Sequence, residues 1–386
     1  MARKTLGVTI RAYVVGFGDC ILARIPDGTK TRHVLVDFGR APGQGASGEQ
    51  FEAIAQDIHE FCGGHLDLLV MTHEHLDHLE GFLREKEVFD QIEVDHVWMG
   101  LPSSPTYYSD YPDARQQKRL MELAASLADG RGIRALTPQV RTLLENNVSN
   151  ADRLAYLRNM KKRGAKVHYL ARGVVPKGCS PFKAVKVDVL APEEDVSVYY
   201  PASRVSSVVE VAKVADGGGE DDWWSFSEVE KLEAPKNLSE SDWTRLHEAI
   251  QGGNLRAARF IDKAQNNTSL CFQLTVGGRR LLFTGDAEIE SWEVMLEKHD
   301  EGVLGPVDFL KVSHHGSRNG TPDDALDRLL PRSRKDRAKA LVSTRSGTYG
   351  TANPVPDRDV LAELRKRCAE VYNTDGSGGL YVQLTL

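Results

Sequence analysis

The 386-residue chain is 41% hydrophobic and 27% charged, enough apolar content to bury a substantial core in one large domain or two ordinary ones. Its net charge of -6 gives no overall attraction for nucleic acid or anionic membrane, so a polyanionic partner needs a local basic patch or bound metal. Cys20, Cys62, Cys179, Cys271 and Cys368 are scattered with no CxxC pair, which argues against a disulfide framework or a thiolate zinc knuckle and suits a cytoplasmic setting.

In chain order, short β-branched runs recur, each leading into a polar or glycine-rich loop. They are VTIRAYVVGFGD, RHVLVDFG, LDLLVMTH, VKVDVLAP, LCFQLTVGG, RRLLFTGD, DFLKVSHHG, KALVST and GGLYVQLTL. Many are continuously apolar rather than alternating, the pattern of strands buried on both faces. Helical periodicity lies between them. EQFEAIAQDIHEF is closed by Gly63 and Gly64, and DARQQKRLMELAASLAD by Gly130. NADRLAYLRNMKKRG runs from a Ser149/Asn150 cap to Gly164. TPDDALDRLLP has Thr321 as cap and Pro322 at the first helical position, and RDVLAELRKRCAEV closes the series. Interleaved strands and helices predict a layered α/β protein. No run of about 18 apolar residues occurs, so neither a membrane span nor a signal segment is expected.

Residues 193–264 break the pattern with the acidic stretch DGGGEDDWWSFSEVEKLE. They read as an insertion within a single domain over 1–386, a lid or a partner-binding segment anchored by Trp223 and Trp224.

One loop concentrates chemistry. Directly after LDLLVM, the sequence THEHLDH places His73, His75, Asp77 and His78 close together. Imidazole nitrogen and carboxylate oxygen are the ligands a divalent transition metal takes without thiolate. His73 and His75 can converge on one ion if the loop turns tightly, and Asp77 and His78 can then face a second. Later strands end in the same style. RRLLFTGD delivers Asp286, DFLKVSHHG delivers His314 and His315, and the earlier RHVLVDFG delivers Asp37. When several strands end in ligand-type residues, those ends can assemble one site.

THEHLDH, with Gly81 following, resembles the HxHxDH signature of the metallo-β-lactamase superfamily. The order of VGFGD…LVDFG, VKVDVLAP, NNTSLCFQL, RRLLFTGD, KVSHHGS and LVST…YNTDGSGGLYV is similar to the soluble domain of the ComEC-type competence proteins. The similarity spans nearly the whole chain, apart from residues near 102–170 and the 193–264 insertion. It implies an αββα sandwich, two mixed β-sheets packed face to face with helices outside, holding two divalent ions, Zn2+ or Mn2+. By that resemblance His73 and His75 bind the first ion, Asp77 and His78 the second, Asp286 bridges, and His314 completes the second site. Asp77 and His315 would be catalytic, His315 facing the substrate. Asp37 would hold a ligand histidine in its working tautomer, and Asn267 and Ser317 would support the ligands or the substrate.

The superfamily's third histidine for the first ion is absent. NNTSL stands in its place with Asn266 and Asn267, which leaves that ion short of a nitrogen ligand and suits manganese. Ala352, Asn353 and Pro354 replace the subfamily's GHP. The function implied is a metal-dependent hydrolase, a phosphodiesterase or DNA nuclease using a metal-bridging hydroxide. Arg158, Lys161, Lys162, Arg163, Lys166 and Arg172, with RSRKDRAK, are candidates to hold the DNA backbone. Two other readings stay open: hydrolysis of a small ester, lactone or phosphodiester, and a partner-dependent component of a larger complex.

Overall fold

The computed structural model describes residues 7–114, 145–147, 150–199, 262–334, 337–348 and 354–386. Strands β1 (Thr9–Tyr13), β2 (Cys20–Asp27) and β3 (Lys30–Phe38) form an antiparallel meander. β3 then pairs in parallel with β4 (His65–Met71), followed in parallel by β5 (Glu93–Gly100) and β6 (Lys166–Leu170). The second sheet begins with β7 (Lys186–Ala191), β8 (Cys271–Val276) and β9 (Arg279–Phe283), which are antiparallel. It continues in parallel through β10 (Phe309–Lys311), β11 (Lys339–Val342) and β12 (Glu370–Asn373). β13 (Tyr381–Thr385) returns to the first sheet, antiparallel to β1, giving a seven-stranded sheet against a six-stranded one.

Between the strands lie α1 (Gly48–Cys62), α2 (Leu76–Arg84), α3 (Lys86–Phe89), α4 (Tyr107–Asp110), α5 (Ala151–Asn159), α6 (Ile289–Lys298), α7 (Asp323–Leu329) and α8 (Arg358–Arg367). Alternate side chains of each strand serve two different interiors, which is why the runs read as continuously apolar. Ile21, Val34, Leu68 and Trp98 of the first sheet meet Phe272, Phe283, Phe309 and Leu341 of the second. On the outer faces, Leu22, Leu35 and Leu69 pack with Phe51, Ile54 and Ile58 of α1, and Leu282 and Leu310 pack with Trp292, Leu326 and Leu364. The layers are therefore helix, sheet, sheet, helix, the metallo-β-lactamase-like sandwich that the sequence leads one to expect.

Local signals resolve with small differences. Ser47 accepts from the Gln50 amide at the start of α1, and Gly63 ends that helix at φ 63°. Helix α7 begins at Asp323, with Pro322 just outside it, and Thr321 makes no cap. Asn150 also makes no cap; its amide instead donates to the Glu74 carbonyl in the histidine loop. DARQQKRLMELAASLAD beyond Ala114, Ser149, nearly all of the insertion, and Ala352–Asn353 lie outside the described residues. No helix among the described residues is long and apolar enough to cross a membrane.

Helix α2 reaches the end of β3 only because two glycines stand at the junction. A Cβ on Gly39 would come within 2.4 Å of the Asp77 carbonyl carbon and the His78 amide, and one on Gly81 within 2.4 Å of the Phe38 ring. Away from the site, Asp27 ties the β2–β3 turn to the segment entering β7. It accepts N–H bonds from Lys183 and Ala184 and one from Arg32, which also grips Asp67 at 2.6 Å. Burial would raise the Asp27 carboxyl, but those backbone amides and Arg32 hold it below the usual carboxylate range.

Asp27→Ala is expected to cost about 2–3 kcal/mol at neutral pH, read from urea melts. A depressed folded value means this contribution is present above the ordinary carboxylate range and disappears as pH falls through the lower folded value. The gap between variant and wild type should therefore close in acid; a gap independent of pH would show that packing, not the charge, is lost.

Candidate metal centre

The ends of β3, β4, β9 and β10 converge on one buried volume. Asp77, His78, Asp286 and His315 each bring a ligand-type atom within 4.8 Å of the others, and none is more than 1% exposed. His315 Nε2 lies 3.1 Å from Asp77 Oδ2 and 3.0 Å from Asp286 Oδ2. His78 Nε2 lies 3.2 Å from Asp286 Oδ2 and 3.8 Å from Asp77 Oδ1.

The second nitrogen of each histidine is committed to the protein, and the acceptor it meets selects the tautomer. His78 Nδ1–H donates to Asp37 Oδ2 at 2.8 Å, and His315 Nδ1–H donates to the Ser343 carbonyl at 2.8 Å. His73 Nδ1–H reaches Thr72 Oγ1 at 3.1 Å, whose own hydroxyl donates to Asp37 at 2.6 Å. His75 Nε2–H donates to Asn147 Oδ1 at 2.9 Å. The nitrogens left facing inward are Nε2 of His73, His78 and His315, and Nδ1 of His75. His78 Nε2 is buried without a hydrogen-bond partner, and His73 Nε2 and His75 Nδ1 face each other at 3.0 Å. Orientation of this kind is what metal-binding imidazoles receive from the groups behind them. Asp37 adopts φ 56°, a left-handed conformation rare for a side chain of its shape; the Thr72 amide, the Thr72 hydroxyl and His78 together hold it there.

The two adjacent histidines exchange the places expected from sequence. His315 enters the Asp77–His78–Asp286 cluster, whereas His314 turns toward Glu288, 3.3 Å away. Both residues have positive φ, 45° and 54°, and this turn splays the two rings into different pockets. Asn267, expected beside ligands or substrate, instead accepts the amides of Glu288 and Ser291 in the first turn of α6. Ser317 accepts the Gly320 amide. Among the described residues, no third His, Cys, Asp or Glu completes the His73–His75 pair at that spacing.

Three participants escaped the sequence. Lys311 Nζ is 1% exposed, pairs with Asp19, and lies 3.1 Å from Asp286 Oδ1 and 2.8 Å from the Gly285 carbonyl. Asn146 exchanges two hydrogen bonds with Asp77, at 3.0 and 2.9 Å. A lysine inside an otherwise apolar buried strand was the available signal for Lys311. Asp19 carried one too, as the aspartate closing VGFGD.

Donors without thiolate, a buried orphan nitrogen and pinned tautomers all fit a divalent cation of the zinc or manganese class. Burial alone would drive the imidazoles down, yet Asp286, Asp77 and Asp19 hold His315 at about 10, and Asp286, Asp77 and Asp37 hold His78 well above its ordinary value. Burial and the neighbouring histidines push His73 well down, and burial pushes His75 down. Asp286 stays well below the usual range despite burial, because His315, Lys311 and His78 surround it.

A cation that takes Nε2 of His78 and His315 has to displace their protons. Binding is therefore expected to release protons and tighten as pH rises from about 6 toward 9, read by calorimetry in buffers of different protonation enthalpy. Without metal, the stabilisation from the raised His315 imidazole is complete below about 6.5 and lost as pH climbs through about 10, and that from His78 is likewise lost as pH rises. Metal uptake with no proton release would refute this charge state. Lys311→Met strands Asp19 and Asp286 and is expected to cost about 3–5 kcal/mol, a loss that saturating Mn2+ should narrow in urea melts.

No protein-family model matches the chain. Over 142 residues, 36% of this chain, it is 29% identical to Recombination protein 2 of Haemophilus influenzae. Over 116 residues, 30% of this chain, it is 28% identical to ComE operon protein 3 of Bacillus subtilis. These matches span only 16% and 13% of those relatives' own lengths. Among solved structures, the metallo-β-lactamase fold protein YhfI of Bacillus subtilis aligns over 98% of this chain and 100% of that one, at 10% identity and a TM-score of 0.35. The four layers, the HxHxDH loop and the two curated similarities together give a metallo-β-lactamase-like sandwich that resembles the ComEC-related competence proteins.

Proposed function

We propose that the chain is a divalent-metal-dependent hydrolase that cleaves phosphodiester bonds in DNA. The observation that carries this reading is the buried Asp77–His78–Asp286–His315 cluster, whose imidazoles are aimed inward by fixed partners. A divalent ion held by these four residues would supply Lewis-acid charge and a reactive water at neutral pH.

The protein's own contribution is arrangement. Asp37 and Ser343 fix the two imidazoles, Asn146 fixes Asp77, and Lys311 fixes one Asp286 oxygen while the other stays in the cluster. A site so preorganised and so deeply buried would strengthen every charge interaction at the reacting phosphate and need little rearrangement.

DNA as substrate is supported by the similarity to ComEC-related proteins, one of them named for recombination. The basic runs add less. Arg158 is spent on the Ser103 carbonyl, Arg163 on Asp90 and the carbonyls of Phe89 and Ile92, and Arg172 on Glu193. Arg332, Arg334 and Lys339 of the second run pair with Glu363, Asp308 and Glu370. Lys161, Lys162 and Lys166 are exposed and can meet phosphates.

The test is chelator-stripped protein incubated with labelled single- and double-stranded DNA and Mn2+, Zn2+ or Mg2+, beside Asp286→Ala. Cleavage that needs metal and falls by about a thousandfold in the variant is expected. A folded protein that binds metal yet cuts neither substrate with any ion would overturn the DNA reading.

A further inference from the structure

Beside the main cluster lies a second group that its chemistry does not use. Asp262, Glu288 and His314 each offer a ligand-type atom within 4.8 Å of the others. Asp262 is 6% exposed, Glu288 2%, and His314 is partly buried with its backbone at φ 45°. Asn266, fully buried, sits among them. Its amide nitrogen is 2.8 Å from Glu288 Oε1, 3.3 Å from His314 Nε2 and 3.4 Å from Asp262 Oδ2.

That arrangement is out of balance. An amide nitrogen has two protons, yet three acceptors surround it. Meanwhile Asn266 Oδ1 and Glu288 Oε2 are buried without a hydrogen-bond partner, and His314 Nδ1 meets Glu288 Oε1 as an ion pair at 3.3 Å. Orphaned buried acceptors of this kind are costly and rare. A half-turn of the Asn266 amide, which interchanges oxygen and nitrogen at little steric cost, would present a carbonyl oxygen to the same centre. Two carboxylates, one amide oxygen and one imidazole would then face it, a set of acceptors that one cation satisfies together.

We infer that Asp262, Asn266, Glu288 and His314 form a second cation pocket, one that takes a hard divalent ion such as Mn2+ or Mg2+. The oxygen-dominated donor set and the absence of thiolate specify that class. The pocket adjoins the histidine loop, with Asp262 Oδ1 3.7 Å from His75 Nε2 and Asn147 bonded to both residues. It also gives the HH pair a purpose: a left-handed turn sends His315 to one cation site and His314 to the other, their ring centres 6.0 Å apart.

The experiment counts Mn2+ bound to the full chain after chelator treatment, by equilibrium dialysis and by the loss of the free-ion electron paramagnetic resonance signal. It compares wild type, Glu288→Gln, Asp286→Asn and the double variant. Glu288→Gln should lose one equivalent that Asp286→Asn keeps, and the double variant should lose both. A wild-type count unchanged in Glu288→Gln overturns the pocket, whether or not Asp286→Asn lowers it. Loss in Glu288→Gln alone supports the pocket and removes support from the main cluster as a metal site, so the two readings fail separately.

Asn266→Asp covers the case of a Glu288 variant that does not fold. A cation pocket gains an anionic donor there, so Mn2+ should bind about tenfold tighter and raise the melting temperature of the variant more than that of wild type. If Asn266 is only a hydrogen-bond hub, the variant is destabilised equally with and without Mn2+, and the inference falls.

Discussion

Buried negative charge is the constraint on which the rest of the structure depends. Asp19, Asp37, Asp77 and Asp286 all lie at 1% exposure or less where the two sheets meet. A carboxylate in such a place is costly unless paired and hydrogen-bonded, so each has drawn partners from distant parts of the chain. Asp19 enters from the β1–β2 loop of one sheet, and Lys311, the lysine that neutralises it, ends β10 of the other. That ion pair, with the Ser343 hydroxyl donating to the Gly18 carbonyl and the Asp286 amide donating to Ser269 Oγ, couples the sandwich to its site. The sheets can pack face to face only with these charges matched across the seam.

The same constraint accounts for the strained backbone. The positive-φ residues other than glycine among the described residues are Asp37, His314 and His315, and all three belong to the charged region. Such conformations cost about 1–3 kcal/mol each. They persist because each side chain is held from several sides, Asp37 by three donors and His315 by Ser343, Asp77 and Asp286. Strain that would unfold an isolated turn is here the means of aiming a ligand-type side chain.

The layering was legible in the sequence because two-faced burial leaves long apolar runs, although β2, β5, β6 and β12 lie outside the runs that stood out. The histidine loop was legible because its residues are neighbours in the chain. What local pattern could not supply was contact between remote segments. Lys311 means nothing until β10 is laid beside the Asp19 loop, and Asn146 and Asn147 belong to no motif at all. The order of His314 and His315 was undecidable from spacing, since adjacent residues part company only through a left-handed turn. The basic run shows the same limit: spacing does not reveal that Arg158, Arg163 and Arg172 are long enough to curl back onto carbonyls and Glu193.

The NNTSL loop shows how the choice of donor alters what the site must do. Asn267 has become a cap for α6. Asn266 holds Glu288 and His314 together, so oxygen chemistry stands beside the imidazoles of His73 and His75. An acid-rich site of this kind repels a phosphate backbone, and net charge and arginines already committed elsewhere do little to offset it. On the proposed reading, attraction for a polyanion would come from cations held by these carboxylates, with the exposed Lys161, Lys162 and Lys166 adding to it. Ion binding and substrate binding would then be coupled electrostatically: ions gathered by the carboxylates would reverse the sign of the field that a phosphate meets.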